Sequence, residues 1–323
     1  MFKKGLNLRN VAMFACLAVS VSFVGCEKSE NKGKDVYIAG TGIKKEQGSS
    51  FSAAKLWKNG KDQYLTTDYN GGTAWSVYVS GKDIYVAGHE FKGRFGLSGV
   101  PNGVAVLWKN GVRQDLTDGT YSASAFSVYV SDNNVYVAGF ECVKSGEYEQ
   151  RVAKLWKNGV EQNLADAYGA TATSVFVSNN DVYVAGNGLD GAKLWKNGEM
   201  QYLTDATFDT YASSVFVFGN DVYVTGSKTW KNGDVLYSNG GSSIFVSDND
   251  VYVAGNGKFW KNGVAQELTG STSLTFPTSV YVSHNNVFVV GYDGTDGRIK
   301  LWKNGKKQKV PDTFAEAYCV FVK

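Results

Sequence analysis

The chain has 323 residues, 43% of them hydrophobic, with 38 glycines, 3 prolines and a formal net charge of +3. That balance excludes disordered and collagen-like chains and leaves one large all-β domain or two smaller ones with many tight turns. Residues 1–25 carry three basic and no acidic groups, and the remainder holds 30 of each sign, which excludes an electrostatic nucleic-acid binder.

At the start of the chain, Lys3, Lys4 and Arg9 precede an apolar run, VAMFACLAVSVSFVG. It is shorter than the roughly 20 residues of a membrane span and reads as an export signal. The run ends in SFVGC, which resembles the lipobox of bacterial lipoproteins. That resemblance implies removal of residues 1–25, lipidation of Cys26, and anchoring to the outer membrane of a Gram-negative bacterium, on its surface or its periplasmic side. Residues 26–34 form a polar tether, and Glu27 directly after the cysteine is similar to surface-directed lipoproteins of Bacteroidetes. With Cys16 and Cys26 in the leader and at the lipobox, only Cys142 and Cys319 remain, too few for a disulfide framework.

From residue 35 to 323 the chain repeats one unit. The first piece is SVYVS at 76–80, 127–131 and 279–283, with variants at 174–178, 214–218 and 243–247. The second is DVYVAG or a close variant, ending at Gly40, Gly88, Gly139, Gly186, Gly226, Gly255 and Gly291. The third is AKLWKNG and a short following segment, with tryptophans at Trp57, Trp108, Trp156, Trp195, Trp230, Trp260 and Trp302. Runs of β-branched and aromatic residues predict strands, and Asn-Gly predicts a tight hairpin between the third and fourth of them. Each unit is thus a four-stranded antiparallel meander.

The strands are apolar at nearly every position, so both faces of each sheet must be covered. Stacked identical sheets satisfy that in a β-propeller. The chain opens at DVYIAG, a second strand, and finishes at AYCVFVK, a first strand with nothing after it. The reading is a seven-bladed β-propeller in which the C-terminal strand completes the N-terminal blade and removes two open edges. The seven repeated tryptophans are expected to pack one per blade interface, and the adjoining Lys-Asn-Gly to serve the turn.

The unit resembles the extracellular HAF-type repeat, which carries a similar LWxNG segment beside a strand pair ending in glycine, and it resembles propeller lipoproteins of Bacteroidetes. The resemblance implies architecture but no activity and no catalytic residues.

All length variation falls in the connections between strands two and three and from strand four to the next blade; the former are long in blades one to three and intermediate in blade seven, so a single face carries the long segments. Residues just before the inner strands should rim the channel mouth: Trp75, Phe126, Thr173, Ser213, Ser242, Thr278 and Tyr318. Trp75 is the one tryptophan outside the repeat, and with Phe126 and Tyr318 it places aromatics on one side of that rim. His89, Glu90, Arg94 and Glu141 follow the second strands of blades two and three as a polar cluster, and Tyr292 follows that of blade seven. Solvated loop residues and packed rings are the plainer reading of both sets. Asp293 and Asp296 offer two carboxylates where Ca²⁺ takes 6–8 oxygens. No cofactor, no catalytic set and no nucleic-acid partner is expected. The expected role is a monomeric, lipid-anchored binding module for a glycan or peptide. A periplasmic scaffold in a membrane protein complex and a loop-based glycan lyase or hydrolase stand as alternatives.

Overall fold

In the computed structural model, residues 34–46, 48–66, 71–93, 102–310 and 315–323 are described. The leader, Cys26, the tether up to residue 33, and Arg94 lie outside the described residues.

Seven four-stranded antiparallel sheets make up the molecule, a seven-bladed β-propeller without helices among the described residues. In six sheets the strand order follows the chain. In the seventh, Ala315–Val322 lies against Val36–Glu46, with Val320 opposite Ile38 and Phe321 opposite Tyr37. The C-terminal strand is therefore the inner strand of blade one, as the staggered ends of the sequence imply.

Blade four shows how WKNG works. Asn197 and Gly198 take φ of 52° and 87°, the left-handed pair that a two-residue hairpin turn demands. The Asn197 side chain accepts from the Val182 amide at 2.8 Å and donates to Asp181 at 2.7 Å, clipping the turn to the second strand. Lys196 pairs with Asp181 at 2.7 Å and lies 5.4 Å from the centre of the Tyr183 ring. The same amide clip recurs at Asn59, Asn110, Asn158, Asn232, Asn262 and Asn304.

The repeat tryptophans fill the seams between blades. Each of seven hydrophobic clusters contains one of them, set among residues of the preceding blade. Trp195 shares its cluster with Ala153, Leu155 and Leu164 of blade three, and its indole N–H donates to the Ala165 carbonyl at 2.6 Å. Trp230 and Trp302 repeat that bond to Thr204 and Thr269. Burying such a ring contributes on the order of 4–6 kcal/mol as an upper bound.

Two further rings tie the inner strands together. The serine that opens SVYV accepts the backbone N–H of the next blade's strand, from Ser76 to Val128, Ser127 to Val175, Ser174 to Val215, and on through Ser214, Ser243 and Ser279. One layer on, Tyr78, Tyr129, Phe176, Phe216, Phe245, Tyr281 and Phe321 form a closed circle of rings with centroids 4.5–5.0 Å apart. Strand alternation explains both, because residues one and three of SVYV point into the channel while its valines enter the blade.

Candidate functional site

The channel mouth is built by a bulge repeated around the ring. In blade two, Ala74 pairs with Gly88 and Ser76 with Ala87, which leaves Trp75 without a partner. The same shift frees Phe126, Thr173, Ser213, Thr278 and Tyr318. A bulged residue is aimed away from the ladder, and here it is aimed over the channel. The bulge also explains the glycine that ends VYVAG. A Cβ on Gly88 would stand 2.0 Å from the Thr73 carbonyl oxygen, and on Gly139 2.1 Å from that of Ser124.

Over this mouth lies a cavity of about 880 Å³. Its floor holds Trp75, Phe126 and Tyr318 with Thr173, Ser242 and Thr278, so six of the seven predicted rim residues are brought together, and Ser213 is outside the lining. Tyr318 and Trp75 are 4.5 Å apart at their centroids, and Trp75 and Phe126 meet edge-on at 5.7 Å. Phe126 continues onto Phe140 at 5.8 Å, giving an aromatic arc across blades one to three. On the opposite side the hydroxyls are partly committed, since Thr173 donates to Ala185 and Ala212 and Thr278 to Val290 and Ala317.

The walls come from one of the long connections that the sequence marks, that of blade three, and from a short turn of blade four that it does not. The long connection of blade three is an extended hairpin, Asn134–Ser145 with Tyr148–Lys157, turning at Gly146. It presents Glu149, Gln150 and Arg151 to the cavity, while the short turn of blade four presents Asn187 and Leu189. Leu189 is 79% exposed. A leucine between Gly188 and Asp190 in a tight turn is the signal that could have marked this wall.

The polar candidates part company. His89 belongs to the rim, because its Nδ1 accepts the Trp75 indole N–H at 3.2 Å and lies 3.2 Å from Ser124 Oγ. Burial lowers its pKa to about 4, so the imidazole is neutral at ordinary pH. Glu90, next along the strand, points the opposite way and is 3% exposed, with Arg113 at 2.5 Å. Glu141 faces Lys154 at 3.5 Å, and burial raises its pKa. These carboxylates belong to a structural pattern. Lys55, Lys154, Lys193 and Lys300, two residues before their repeat tryptophans, are buried, and each has an acidic partner. In blade two, Val106 takes the lysine position and Arg113 supplies the cation for Glu90.

Asp293 and Asp296 serve Lys300 at 3.5 and 3.4 Å and cap the turn through the amides of Thr295 and Arg298. Tyr292 packs on Phe276 at 5.3 Å, outside the cavity lining. The Tyr318 hydroxyl donates to Glu316, and burial together with that carboxylate raises its pKa. Cys319 takes the place of the inner-strand serine, and burial raises its thiol pKa. Cys142 is half-buried, with its pKa likewise raised by burial.

No protein-family model matches the sequence, and no curated protein matches it. Among solved structures, the chain is similar to the computationally designed Ika8 protein at 19% identity and a TM-score of 0.50, over 87% of this chain and 90% of that one. A GH43_1 enzyme from Xanthomonas citri aligns at 12% identity and a TM-score of 0.38, over 76% of this chain and 92% of that one. A sialidase from Trypanosoma rangeli aligns at 9% identity and 0.43, over 88% of this chain and 53% of that one. The first of these likenesses bears on the fold alone.

Proposed function

We propose that this propeller is a non-catalytic carbohydrate-binding module, held at the outer membrane by a lipid on Cys26 and binding through its long-segment face. The observation that carries the reading is the arc of Tyr318, Trp75 and Phe126 on the floor of the 880 Å³ cavity. Sugar rings present apolar C–H faces to aromatic planes and hydroxyls to planar polar groups, and Gln150, Arg151, Glu149 and Asn187 stand around that floor. The volume falls in the usual range for ligand sites, roughly 300–1,000 Å³. Binding is favoured over hydrolysis because Glu149 is the sole carboxylate among the described lining residues. Acid–base cleavage of a glycoside takes two, about 5–9.5 Å apart. His89 is committed as an acceptor to Trp75.

Export rests on the lipobox and on the likeness of the repeat to extracellular HAF-type units. Among the described residues no helix is long and apolar enough to cross a membrane, so attachment in this reading falls to Cys26.

The test is a glycan array followed by calorimetry on the wild type and Trp75→Ala. Binding that disappears in the variant, with its fold retained, is the expected result. Co-purification of membrane proteins with no glycan signal would replace this reading with a periplasmic scaffold, and turnover on a polysaccharide panel would replace it with an enzyme. Labelled palmitate incorporated by the wild type but not by Cys26→Ala tests the anchor, and protease shaving of whole cells tests the side of the membrane.

A further inference from the structure

We infer that the ligand of this face is a linear, uncharged oligosaccharide that runs past Tyr318 into a second subsite over blade one, flanked by blades two and seven. The inference rests on the carbohydrate reading above and adds to it the shape and charge of the ligand. Tyr318 lines two cavities at once: the large one over Trp75, and a separate one of about 260 Å³ on its other side. Thr41, Ser52, Thr73 and Glu316 line the second, and Glu316 accepts the hydroxyl of Tyr318. One ring therefore forms the partition between two hydroxyl-lined spaces, with the Trp75 ring tilted against it at 4.5 Å on the larger side. A single sugar can occupy either space, but only an extended chain can fill both and lie across the tyrosine.

Charge sets the class. The described lining of the smaller cavity carries Glu316 and no cation. An acidic sugar there would bring a second carboxylate against Glu316 with no cation among the described lining residues, whereas neutral hydroxyls can donate to it. In the larger cavity Glu149 and Arg151 offset one another. The occupant that satisfies both ends is neutral and longer than the aromatic arc.

The experiment measures affinity for linear oligosaccharides of one to six units, in a neutral series and a uronic-acid-containing series, with the wild type, Trp75→Ala, Glu316→Ala and Ser52→Tyr. Glu316 and Ser52 are both exposed, so neither change burdens folding. Affinity should rise with length in the neutral series. Removing Glu316, or filling the small cavity from Ser52, should cost the longest oligomers about tenfold, the value of one charge-assisted hydrogen bond, and leave the shortest unchanged. Trp75→Ala should lose every length. If glycans bind but affinity does not grow with length, or the uronic series binds more tightly, or both small-cavity variants match the wild type, the inference falls while the carbohydrate reading stands. If no glycan of either series binds, the carbohydrate reading falls and takes the inference with it.

Discussion

The indole N–H of Trp75 donates to Nδ1 of His89 at 3.2 Å. Tryptophan is a donor only, so that nitrogen must be the unprotonated one, and the ring proton sits on Nε2. Burial reinforces the neutral form and lowers the pKa from 6.5 to about 4. In the unfolded chain the imidazole gains its proton below about 6.5. Between those limits the unfolded state binds more protons, so stability must fall as the pH drops from about 6.5 to about 4. The full loss is roughly 3 kcal/mol. Gln at position 89 keeps an acceptor and does not titrate. Urea unfolding of the wild type and His89→Gln at pH 4.5 and 7.5 should therefore show the wild type losing more stability on acidification. Equal losses would mean that His89 is not held neutral by the fold.

Tryptophans at the seams and at the mouth should answer differently to the same truncation. Trp195 is fully buried and bonded through its indole nitrogen to Ala165. Trp195→Ala should cost roughly 3–5 kcal/mol, through a cavity and an orphaned carbonyl. Trp75 is half-buried on a bulge and lies outside the seven seam clusters, with ring contacts to Tyr318 and Phe126 and one bond to His89. Its replacement by alanine removes that bond and those ring contacts and should cost about 1–2 kcal/mol, still below the loss at Trp195. Denaturant midpoints of the two variants, measured side by side, decide it, and similar losses would make Trp75 a packing residue.

The seam tryptophans and the staggered closure were legible in the sequence because both arise from local pattern. An Asn-Gly turn, a run of β-branched residues and an unpaired terminal strand keep their meaning without coordinates. The aromatic side of the rim could be named for the same reason, since position relative to SVYV fixes it. What local pattern hides is register. Glu90 and His89 are adjacent in sequence, yet one lies in a buried pair with Arg113 and the other against Trp75, because successive strand residues face opposite ways. The long connection of blade three was legible as part of the site, but Gln150 and Arg151 within it were not, because that connection folds as a hairpin whose strand register decides which side chains reach the cavity.

Gly88, which closes the repeat motif inside the strand Asp83–Phe91, is glycine for a reason of close approach. The bulge at Trp75 draws the Thr73 carbonyl to within 2.0 Å of where a Cβ would stand, and a second atom, from the Trp108 ring, is 2.8 Å away. Backbone cannot yield as a flexible side chain can, so Gly88→Ala must either open the bulge or part the strands. A loss of at least about 2–3 kcal/mol is expected, at the upper end of overpacking penalties. Because that bulge aims Trp75, any folded variant should also lose affinity on the glycan array. A stable Gly88→Ala protein with wild-type binding would show that the bulge is not required.

Cys319 is the one break in the ring of inner-strand serines. In the other six blades a serine hydroxyl accepts the next strand's N–H at 3.2–3.3 Å. At the closure Cys319 Sγ lies 3.8 Å from the Val77 carbonyl and serves as a weak donor to it. Sulfur is larger than oxygen and a poorer acceptor, so blades one and two meet there without the bond that joins every other pair. Cys319→Ser restores the oxygen, and the structure around it already holds six copies of the arrangement it would adopt. The variant should gain about 0.5–1.5 kcal/mol, the net worth of one intramolecular hydrogen bond. The gain should appear as slower unfolding in urea, because the added bond ties the C-terminal strand, which closes blade one, to blade two. A variant less stable than the wild type would show that the thiol is valued at the closure for its packing and that the missing bond costs nothing.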